Sequence, residues 1–410
     1  MQPGVADQRS SSGAHAERRQ PATIRLWRRA FDFLLDRFDA GIAAGSVDVA
    51  LPDGTRRRLG GRAPGLTGEM TFHSWAVPLR GATGGSSGFY RSWEAGEWDS
   101  PDLAAVLGVF AANAAAYGTL IRARGPWRLA GRAFHWLHRN TRAGAARNIH
   151  AHYDLGNDFY ATWLDPDMVY SSARFDQGAR DLAAAQQHKL DTIAARVAGA
   201  RSVLEIGCGW GGLAQRLADN GMAVTAISLS DAQLAWARAH RAPGIDFCKE
   251  DYRDTHGQFD AIVSVEMVEA VGQEYWNHFF ACLARNLKPG GRAAIQYIAI
   301  REDQFEAYAK SADFIQTYVF PGGMLVSETA FKRLSAAHGL DWTDHAAFPL
   351  DYAETLRIWR ERFDAAAAEG RFGDGHDARF IRLWRFYLAY CEAGFRSGLI
   401  TVAQVTLIKD

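Results

Sequence analysis

The chain has 410 residues, of which 48% are hydrophobic and 22% charged, so it is a globular protein of two or three domains rather than a disordered one. Lysine plus arginine and aspartate plus glutamate both number 46, and this balance argues against bulk binding of nucleic acid. The four cysteines form no CxxC pair and the first 20 residues contain no apolar leader, which argues against disulfides, a zinc site or secretion and predicts a cytoplasmic protein.

The amino-terminal quarter predicts a polar tail followed by a smaller α+β domain. Residues 1–20 are rich in Ser, Ala and Arg, which is typical of a disordered tail, and the domain is predicted over residues 21–122. Apolar residues recur at helical spacing over 24–38. Two short strands around a Pro-Asp-Gly turn between residues 47 and 59 predict a hairpin.

Two later stretches of this domain predict a loop and a helix. Residues 81–88 are rich in glycine and serine, which predicts a loop, and a compact aromatic turn is predicted from Trp93 to Trp98. Residues 103–121 carry no charge over 19 positions, near the length that crosses a bilayer. Seven alanines and polar residues such as Asn113 interrupt the run, so a buried helix is favoured over a spanning one.

A basic segment joins this domain to the rest of the chain. Residues 103–153 contain no acidic residue but seven arginines, from Arg122 to Arg147, with aromatic residues between them. The predicted linker is residues 123–150. Two interpretations stay open: a solvated helix whose arginines pair with acids elsewhere, or a surface that docks on anionic lipid headgroups. The second would make the protein peripheral to the inner face of the membrane.

Strands and helices alternate from about residue 182 onward, which predicts an α/β fold with a doubly wound, Rossmann-like parallel sheet over residues 151–410. Strands are predicted over 202–207, 223–228, 245–248, 260–265 and 291–298, with a last strand near 400–407. Helices are predicted over 212–219 and 230–240.

A glycine-rich turn follows the first of these strands. Gly207, Gly209 and Gly212 satisfy the GxGxxG pattern, which fits two classes of ligand. A dinucleotide site needs an acid at the end of the second strand, where this chain has Ser228. Glu205 instead lies two residues before the first glycine, and Asp251 follows the third strand, where it can meet an adenine amino group. This pattern favours S-adenosylmethionine (SAM) over NAD.

Several blocks along the chain carry a more specific resemblance. They are HYDLGNDFY at 152–160, LDP at 164–166, YSSA at 170–173, SLS at 228–230, EDYR at 250–253, EMVEAVG at 266–272, FPGG at 320–323, DY at 351–352 and YCEAGFR at 390–396. In these blocks the chain resembles the cyclopropane-fatty-acyl-phospholipid synthase family, which includes mycolic acid cyclopropane synthases and fatty-acid methyltransferases. The resemblance implies a seven-stranded methyltransferase sheet and an amino-terminal domain that handles lipid.

The resemblance also implies a reaction. The cis double bond of an unsaturated phospholipid acyl chain takes the methyl group of SAM, a carbocation forms, and a base removes a proton so that a cyclopropane ring closes. The base in the family is thought to be a bound bicarbonate, held by a carboxylate, a histidine, a tyrosine and backbone groups. Relatives that leave a methyl or methylene branch look similar, so the product stays open. A non-lipid acceptor, an inactive lipid carrier and a homodimer also remain open.

Carried over position by position, the resemblance implies two groups of site residues. The catalytic group consists of Glu269, Tyr352, Gln296, Ser172 and Ile298. The SAM-binding group consists of Tyr170, Ser171, Glu205, Gly207, Gly209, Gly211, Ser228, Leu229, Gln233, Asp251 and Tyr252. No metal is implied.

Two positions depart from the bacterial pattern, with Gln296 in place of histidine and Ser172 in place of cysteine. Glutamine donates a hydrogen bond but does not titrate near neutral pH. We interpret Glu266 as a structural or SAM-side acid rather than a catalytic one. Core packing is favoured over a channel-lining role for Trp384, Tyr387 and Tyr390, which recur at helical spacing.

Overall fold

The structure, a computed structural model, describes residues 22–117, 155–178, 181–373 and 375–410. The predicted tail, the arginines from Arg122 to Arg147 and the linker predicted over 123–150 lie outside the described residues, as does the start of the 152–160 block. Within the described ranges no helix is long and apolar enough to cross a membrane.

The amino-terminal part is built on a four-stranded sheet. It contains helices α1 (Ala22–Gly41), α2 (Val77–Glu94), α3 (Leu103–Ala112) and α4 (Ala114–Tyr117), and strands β1 (Ser46–Ala50), β2 (Arg56–Gly60), β3 (Thr67–Phe72) and β4 (Trp98–Asp99). The strand order is β2-β1-β3-β4. The predicted hairpin is confirmed, since β1 and β2 are antiparallel with Ser46 opposite Gly60. Trp98 is fully buried and stacks on Phe89 with ring centroids 4.4 Å apart, which fixes the predicted aromatic turn.

The loop predicted over 81–88 is wrong, because these residues lie inside α2. The departure from helical geometry is at Gly85, whose φ is +59° and ψ −145°. A Cβ at Gly88 would lie 2.0 Å from the carbonyl oxygen of Arg80, so the small residues let the two halves of the kinked helix approach closely. The glycine-rich composition predicted a loop. The glycines are instead needed because the backbone packs closely at the kink of α2.

The uncharged stretch that begins at Leu103 is a short buried helix. α3 is followed by its C-cap residue Asn113, whose side-chain oxygen accepts from the backbone N–H groups of Ala43 and Ala44, at 2.9 and 3.2 Å. The asparagine therefore ties α3 to the loop between α1 and β1. α4 is described as far as Tyr117, and the rest of the predicted helix lies outside the described residues.

The carboxyl-terminal part is a doubly wound α/β unit. Its helices are α5 (Asn157–Ala161), α6 (Leu182–Arg196), α7 (Gly212–Asp219), α8 (Asp231–His240), α9 (Trp276–Asn286), α10 (Glu302–Ala309), α11 (Phe314–Tyr318), α12 (Glu328–Ala337), α13 (Pro349–Ala368) and α14 (Ala378–Arg396). Its strands are β5 (Ser202–Ile206), β6 (Ala223–Ser228), β7 (Asp246–Lys249), β8 (Phe259–Val265), β9 (Leu287–Ile300), β10 (Leu340–Ala347) and β11 (Ile400–Lys409).

The seven strands form one sheet in the order β10-β11-β9-β8-β5-β6-β7. Strands β5 to β9 are parallel, which confirms the predicted α/β class, while β10 and β11 add an antiparallel edge. The order turns at β5, from which the chain proceeds to β6 on one side and later to β8 on the other. In such sheets ligands bind at the carboxyl ends of the strands beside this switch point.

The two parts pack directly on one another. Helix α2 lies against α11 and α14: the backbone N–H of Phe314 donates to Ser86 Oγ at 3.0 Å, and Tyr90 packs on Phe314 with ring centroids 4.7 Å apart. The Arg382 guanidinium lies 4.0 Å from the ring centroid of Trp93. These contacts hold the amino-terminal sheet beside the carboxyl-terminal one, so that a cavity can be lined by both.

Candidate active site

A polar pocket of about 180 Å³ lies at the carboxyl ends of β5 and β6. Its floor is the glycine turn that follows β5. Gly207 has φ +83°, and a Cβ there would lie 2.8 Å from Met267 Cγ. At Gly209, with φ +54°, a Cβ would meet no atom within 4 Å, so this glycine faces open space in the pocket. The turn thus forms a cradle in which backbone can approach a ligand closely.

All but one of the residues predicted to bind SAM line this pocket. They are Tyr170, Ser171, Glu205, Gly207, Gly209, Ser228, Leu229, Gln233, Asp251 and Tyr252. The exception is Gly211, which precedes α7 in a left-handed conformation and lies against Phe247, where a Cβ would be 2.8 Å from Cζ. Its glycine serves the tight turn rather than the ligand surface.

The far end of the pocket carries neutral hydrogen-bonding groups where a dinucleotide site would carry an acid. Ser228 Oγ donates to Gln233 Oε1 at 3.3 Å, and Ser230 caps α8 by accepting from the backbone N–H of Gln233. Asp251 lies at the rim, ion-paired with Arg253. These side chains can hold the ribose and adenine of SAM.

A buried lysine in this pocket was missed from the sequence. Lys189 Nζ donates to Ser171 Oγ at 2.7 Å, and burial lowers the pKa of its ammonium group to about 8. Burial likewise raises the pKa of the Glu205 carboxyl to about 8, and one Glu205 carboxylate oxygen is buried without a partner. The signal was available, because Lys189 occupies the buried stripe of α6 between Ala185 and Ile193.

A second cavity, of about 400 Å³, extends from the carboxyl-terminal sheet into the amino-terminal part. Apolar residues of α1, β1, β3 and α3 form its wall, among them Leu35, Val49, Met70 and Phe110. On the side of the first pocket it is lined by Glu266, Glu269, Ile298 and Tyr352, and its lining also includes polar residues such as Gln304 and Asp313. A long cavity with a mainly apolar wall suits an alkyl chain, whose reacting atoms would lie on the side of the first pocket.

The two cavities meet at three residues, since Tyr170, Glu266 and Ala270 line both. A group passed from a ligand in the polar pocket to one in the apolar cavity crosses at this junction. Tyr170 Oη is hydrogen-bonded to Tyr387 Oη at 2.9 Å, which fixes the ring at the boundary.

Glu266 is the centre of the hydrogen bonds at the junction. Its Oε1 accepts from the backbone N–H of Ser172 at 2.9 Å and from Gln296 Nε2 at 2.7 Å, and its Oε2 accepts from Tyr352 Oη at 2.6 Å. Burial raises the pKa of this carboxyl, while the three donors hold it down. Glu266 lines the SAM pocket, as expected of a SAM-side acid, and it also lines the apolar cavity.

Glu269 lies beside it with a different environment. One carboxylate oxygen accepts from the backbone N–H of Ile298, and the other is buried without a partner. Burial, followed by the nearby charge of Glu266, raises the pKa of the Glu269 carboxyl to about 8. The charge of Glu266 therefore disfavours ionisation of Glu269, whereas the three donors to Glu266 favour the anion there.

The structure brings all five predicted catalytic residues to this end of the cavity, in two layers. Glu269, Tyr352 and Ile298 line the cavity itself. Ser172 and Gln296 are almost fully buried and donate to Glu266, the first through its backbone N–H and the second through its side chain. Ser172 Oγ donates to the carbonyl of Ala173. The aromatic stripe of α14 is divided: Tyr387 and Tyr390 line the cavity, whereas Trp384 packs in the core.

Comparison with known proteins identifies this arrangement. The family model for mycolic acid cyclopropane synthetase matches residues 140–405. The chain belongs to this family. Tuberculostearic acid methyltransferase UfaA1 of Mycobacterium tuberculosis is 41% identical over 94% of this chain and 90% of its own length. Cyclopropane-fatty-acyl-phospholipid synthase of Escherichia coli is 39% identical over 63% of this chain and 66% of its own length.

Solved structures agree with the family assignment. Mycolic acid cyclopropane synthase CmaA1, complexed with SAH and CTAB, matches with a TM-score of 0.60 and 27% identity, over 64% of this chain and 98% of that one. Cyclopropane synthase MmaA2 from Mycobacterium tuberculosis matches with a TM-score of 0.59 and 27% identity, over 64% of this chain and 98% of that one. The protein is therefore a SAM-dependent methyltransferase of a lipid-modifying family, which decides against the NAD alternative.

Proposed function

We propose that the protein transfers one carbon from SAM to the cis double bond of an unsaturated phospholipid acyl chain and closes a cyclopropane ring. The observation that carries the proposal is the junction itself, where Glu266 lines both the SAM pocket and the apolar cavity. SAM supplies an electrophilic methyl group when bound in the polar pocket. A double bond held in the apolar cavity at Glu266 lies next to that methyl.

The residues at the junction would exclude water and stabilise the positive charge that develops on the acyl chain. The aromatic rings of Tyr170, Tyr352 and Tyr387 surround the junction, where they exclude water and offer π faces to a cation on the acyl chain. The carboxylate of Glu266 offers negative charge where that cation develops. A methyl group passed through the junction would arrive beside Glu266, where a carboxylate can accept one of its protons as the ring closes.

A second candidate product is a methyl- or methylene-branched chain. The relative that supports it is tuberculostearic acid methyltransferase UfaA1, whose similarity includes the amino-terminal part that forms one side of the apolar cavity. In this candidate the same methyl transfer occurs, but the proton is lost after rearrangement and an alkene remains.

A direct test of the function uses purified protein, SAM and vesicles of a monounsaturated phospholipid. We expect lipids that have gained one CH₂, and no gain with vesicles of the saturated analogue. A gained CH₂ that resists hydrogenation would mark a ring, and one that takes up hydrogen would mark a methylene branch. No gain, with SAM binding intact, would favour a different acceptor or an inactive lipid carrier.

Filling the cavity on its amino-terminal side should impair acyl binding alone. Ala111 lines the cavity near the end of α3, whereas its neighbour Ala112 is exposed and does not. We expect Ala111→Trp to raise the KM for a long monounsaturated substrate by about tenfold, because the indole displaces about two methylenes that each contribute about 0.8 kcal/mol. SAM affinity should be unchanged, and Ala112→Trp should behave as wild type in steady-state assays. An equal effect of both variants would exclude this wall from substrate binding.

The basic segment is proposed as the surface that docks on anionic membrane, which would make the protein peripheral. The proposal rests on sequence, with seven arginines between aromatic residues and no acid from 103 to 153. Neutralising Arg128, Arg132 and Arg139 should weaken binding by about 1 kcal/mol per charge, in a vesicle-sedimentation assay with anionic lipid. SAM affinity should be intact. Unchanged sedimentation would reduce the segment to a linker.

A further inference from the structure

The hydrogen-bond donors that the family resemblance assigns to a bound bicarbonate are already occupied in this protein. The resemblance implies a backbone group at Ser172, the side chain at position 296, and Tyr352. All three donate to the carboxylate of Glu266 instead. The fourth group, the backbone N–H of Ile298, donates to Glu269.

A bicarbonate ion does not fit this arrangement. It would have to displace Glu266 from its three donors and would then lie as a further negative charge beside two buried carboxyls. Neighbouring like charges repel strongly where water is excluded. A histidine at position 296 could change its protonation to suit an added anion, whereas Gln296 cannot.

A series of hydrogen-bonded side chains orients the Gln296 amide so that its NH₂ group donates to Glu266. Arg196 Nε donates to Gln404 Oε1 at 3.3 Å, Gln404 Nε2 donates to Gln296 Oε1 at 3.0 Å, and Gln296 Nε2 then donates to Glu266. Because its oxygen is taken up by Gln404, Gln296 presents its NH₂ group to the junction. The Gln296 amide is therefore oriented to donate to an anion at the position of the Glu266 carboxylate.

The backbone at Glu266 is held in an uncommon conformation. Its φ is +49°, in the left-handed region that costs a residue with a Cβ about 1 kcal/mol or more. Its backbone N–H donates to the carbonyl of Gln296 at 2.8 Å, so both main chain and side chain are tied to the same residue of β9. This conformation directs the carboxylate from the end of β8 into the junction.

We infer that the Glu266 carboxylate takes the place of bicarbonate and is itself the base of the reaction, an inference that rests on the proposed function. The π electrons of the acyl double bond form a C–C bond to the methyl of SAM, and the S–C pair stays on sulfur. A C–H bond of the new methyl then breaks, its proton goes to Glu266, and its electron pair closes the ring. The positive charge of Lys189 lowers the pKa of Glu266 and so favours the ionised base.

The inference is tested by removing carbon dioxide from the assay and by the variant Glu266→Gly. Wild-type turnover should be the same in bicarbonate-depleted and bicarbonate-supplemented buffer. Glu266→Gly should lose about 100-fold or more in turnover, and added bicarbonate should restore part of it by occupying the vacated donors. Glycine suits the positive φ, so the variant should fold. Glu306→Gly is the control for loss of a carboxylate, since Glu306 is exposed on α10 and lines neither cavity, and it should retain activity.

A binding measurement separates this inference from the proposed function. Broadening of the ¹³C-bicarbonate NMR signal needs no acyl substrate, and we expect it with Glu266→Gly and not with wild type. Broadening with wild type, or with neither protein, would overturn the inference, as would wild-type turnover that depends on bicarbonate or a Glu266→Gly variant that is fully active without it. Failure of the proposed function would appear separately, as wild-type protein that binds SAM but labels no unsaturated lipid in either buffer.

Discussion

Replacing Tyr352 with phenylalanine is expected to lower turnover near neutral pH by roughly 10- to 100-fold, because a hydrogen bond to a charged group contributes about 1.5–3 kcal/mol, or one to two pKa units. Tyr352 Oη is the donor to Glu266 Oε2, at 2.6 Å. Losing it raises the pKa of Glu266 above its already raised value. A smaller fraction of the carboxylate is then ionised and able to accept a proton.

The sign of the pH dependence follows from this pKa. A base with a raised pKa is protonated as pH falls, so turnover of Tyr352→Phe should rise with pH and regain part of its loss in alkaline buffer. SAM affinity, measured by calorimetry, should be unchanged, because Tyr352 does not line the SAM pocket. Tyr90→Phe is the control: it removes a buried hydroxyl that also donates to a carboxylate, Glu94 Oε1 at 2.8 Å, and neither of these two residues lines a cavity. A Tyr352→Phe variant with a wild-type pH profile would contradict the role given to Glu266.

Replacing Gly207 with alanine should abolish most SAM binding. The added Cβ would lie 2.8 Å from Met267 Cγ, and both residues line the pocket, so either the glycine turn or Met267 must move. We expect a loss on the order of 100-fold in SAM affinity, the scale associated with displacing a site by about an ångström.

A matched variant distinguishes the two effects of a Cβ at Gly207, which are backbone strain and the clash with Met267. Gly199 has φ +86°, close to that of Gly207, and a Cβ there would meet nothing within 4 Å. The left-handed conformation should lower the free energy of unfolding of Gly199→Ala by about 1–2 kcal/mol, as much as it does in Gly207→Ala. The affinity of Gly199→Ala for SAM should be unchanged. Calorimetric titration with SAM and thermal unfolding of both variants would make the comparison. Equal losses of SAM affinity would attribute the effect to strain rather than to the shape of the pocket.

The SAM pocket could be predicted from sequence because its signals are local. The strand, glycine turn and helix around Gly207 are consecutive in the chain, and the turn chemistry points to a single arrangement. The loop predicted over residues 81–88 was wrong because the conformation there depends on packing rather than on a local sequence signal. There, close packing within the kinked helix decided the conformation, and composition carried no sign of it.

The role of Glu266 could not be predicted, because it depends on three partners far apart in the chain. Ser172, Gln296 and Tyr352 are 94, 30 and 86 residues away from it. Only the folded sheet, with the end of β8 beside β9 and α13 closing over it, brings these donors to one carboxylate. The apolar cavity likewise could not be predicted from the sequence, since its wall comes from both parts of the chain.

The most direct measurement follows the hydrogens of the transferred methyl. The protein is incubated with SAM carrying a CD₃ methyl and with monounsaturated phospholipid vesicles, and the lipid product is examined by mass spectrometry before and after hydrogenation. A carboxylate that removes a proton from the new methyl predicts a product that keeps two of the three deuterium atoms and resists hydrogenation. A product that retains all three would contradict the account, because the base would then have taken its proton from the acyl chain.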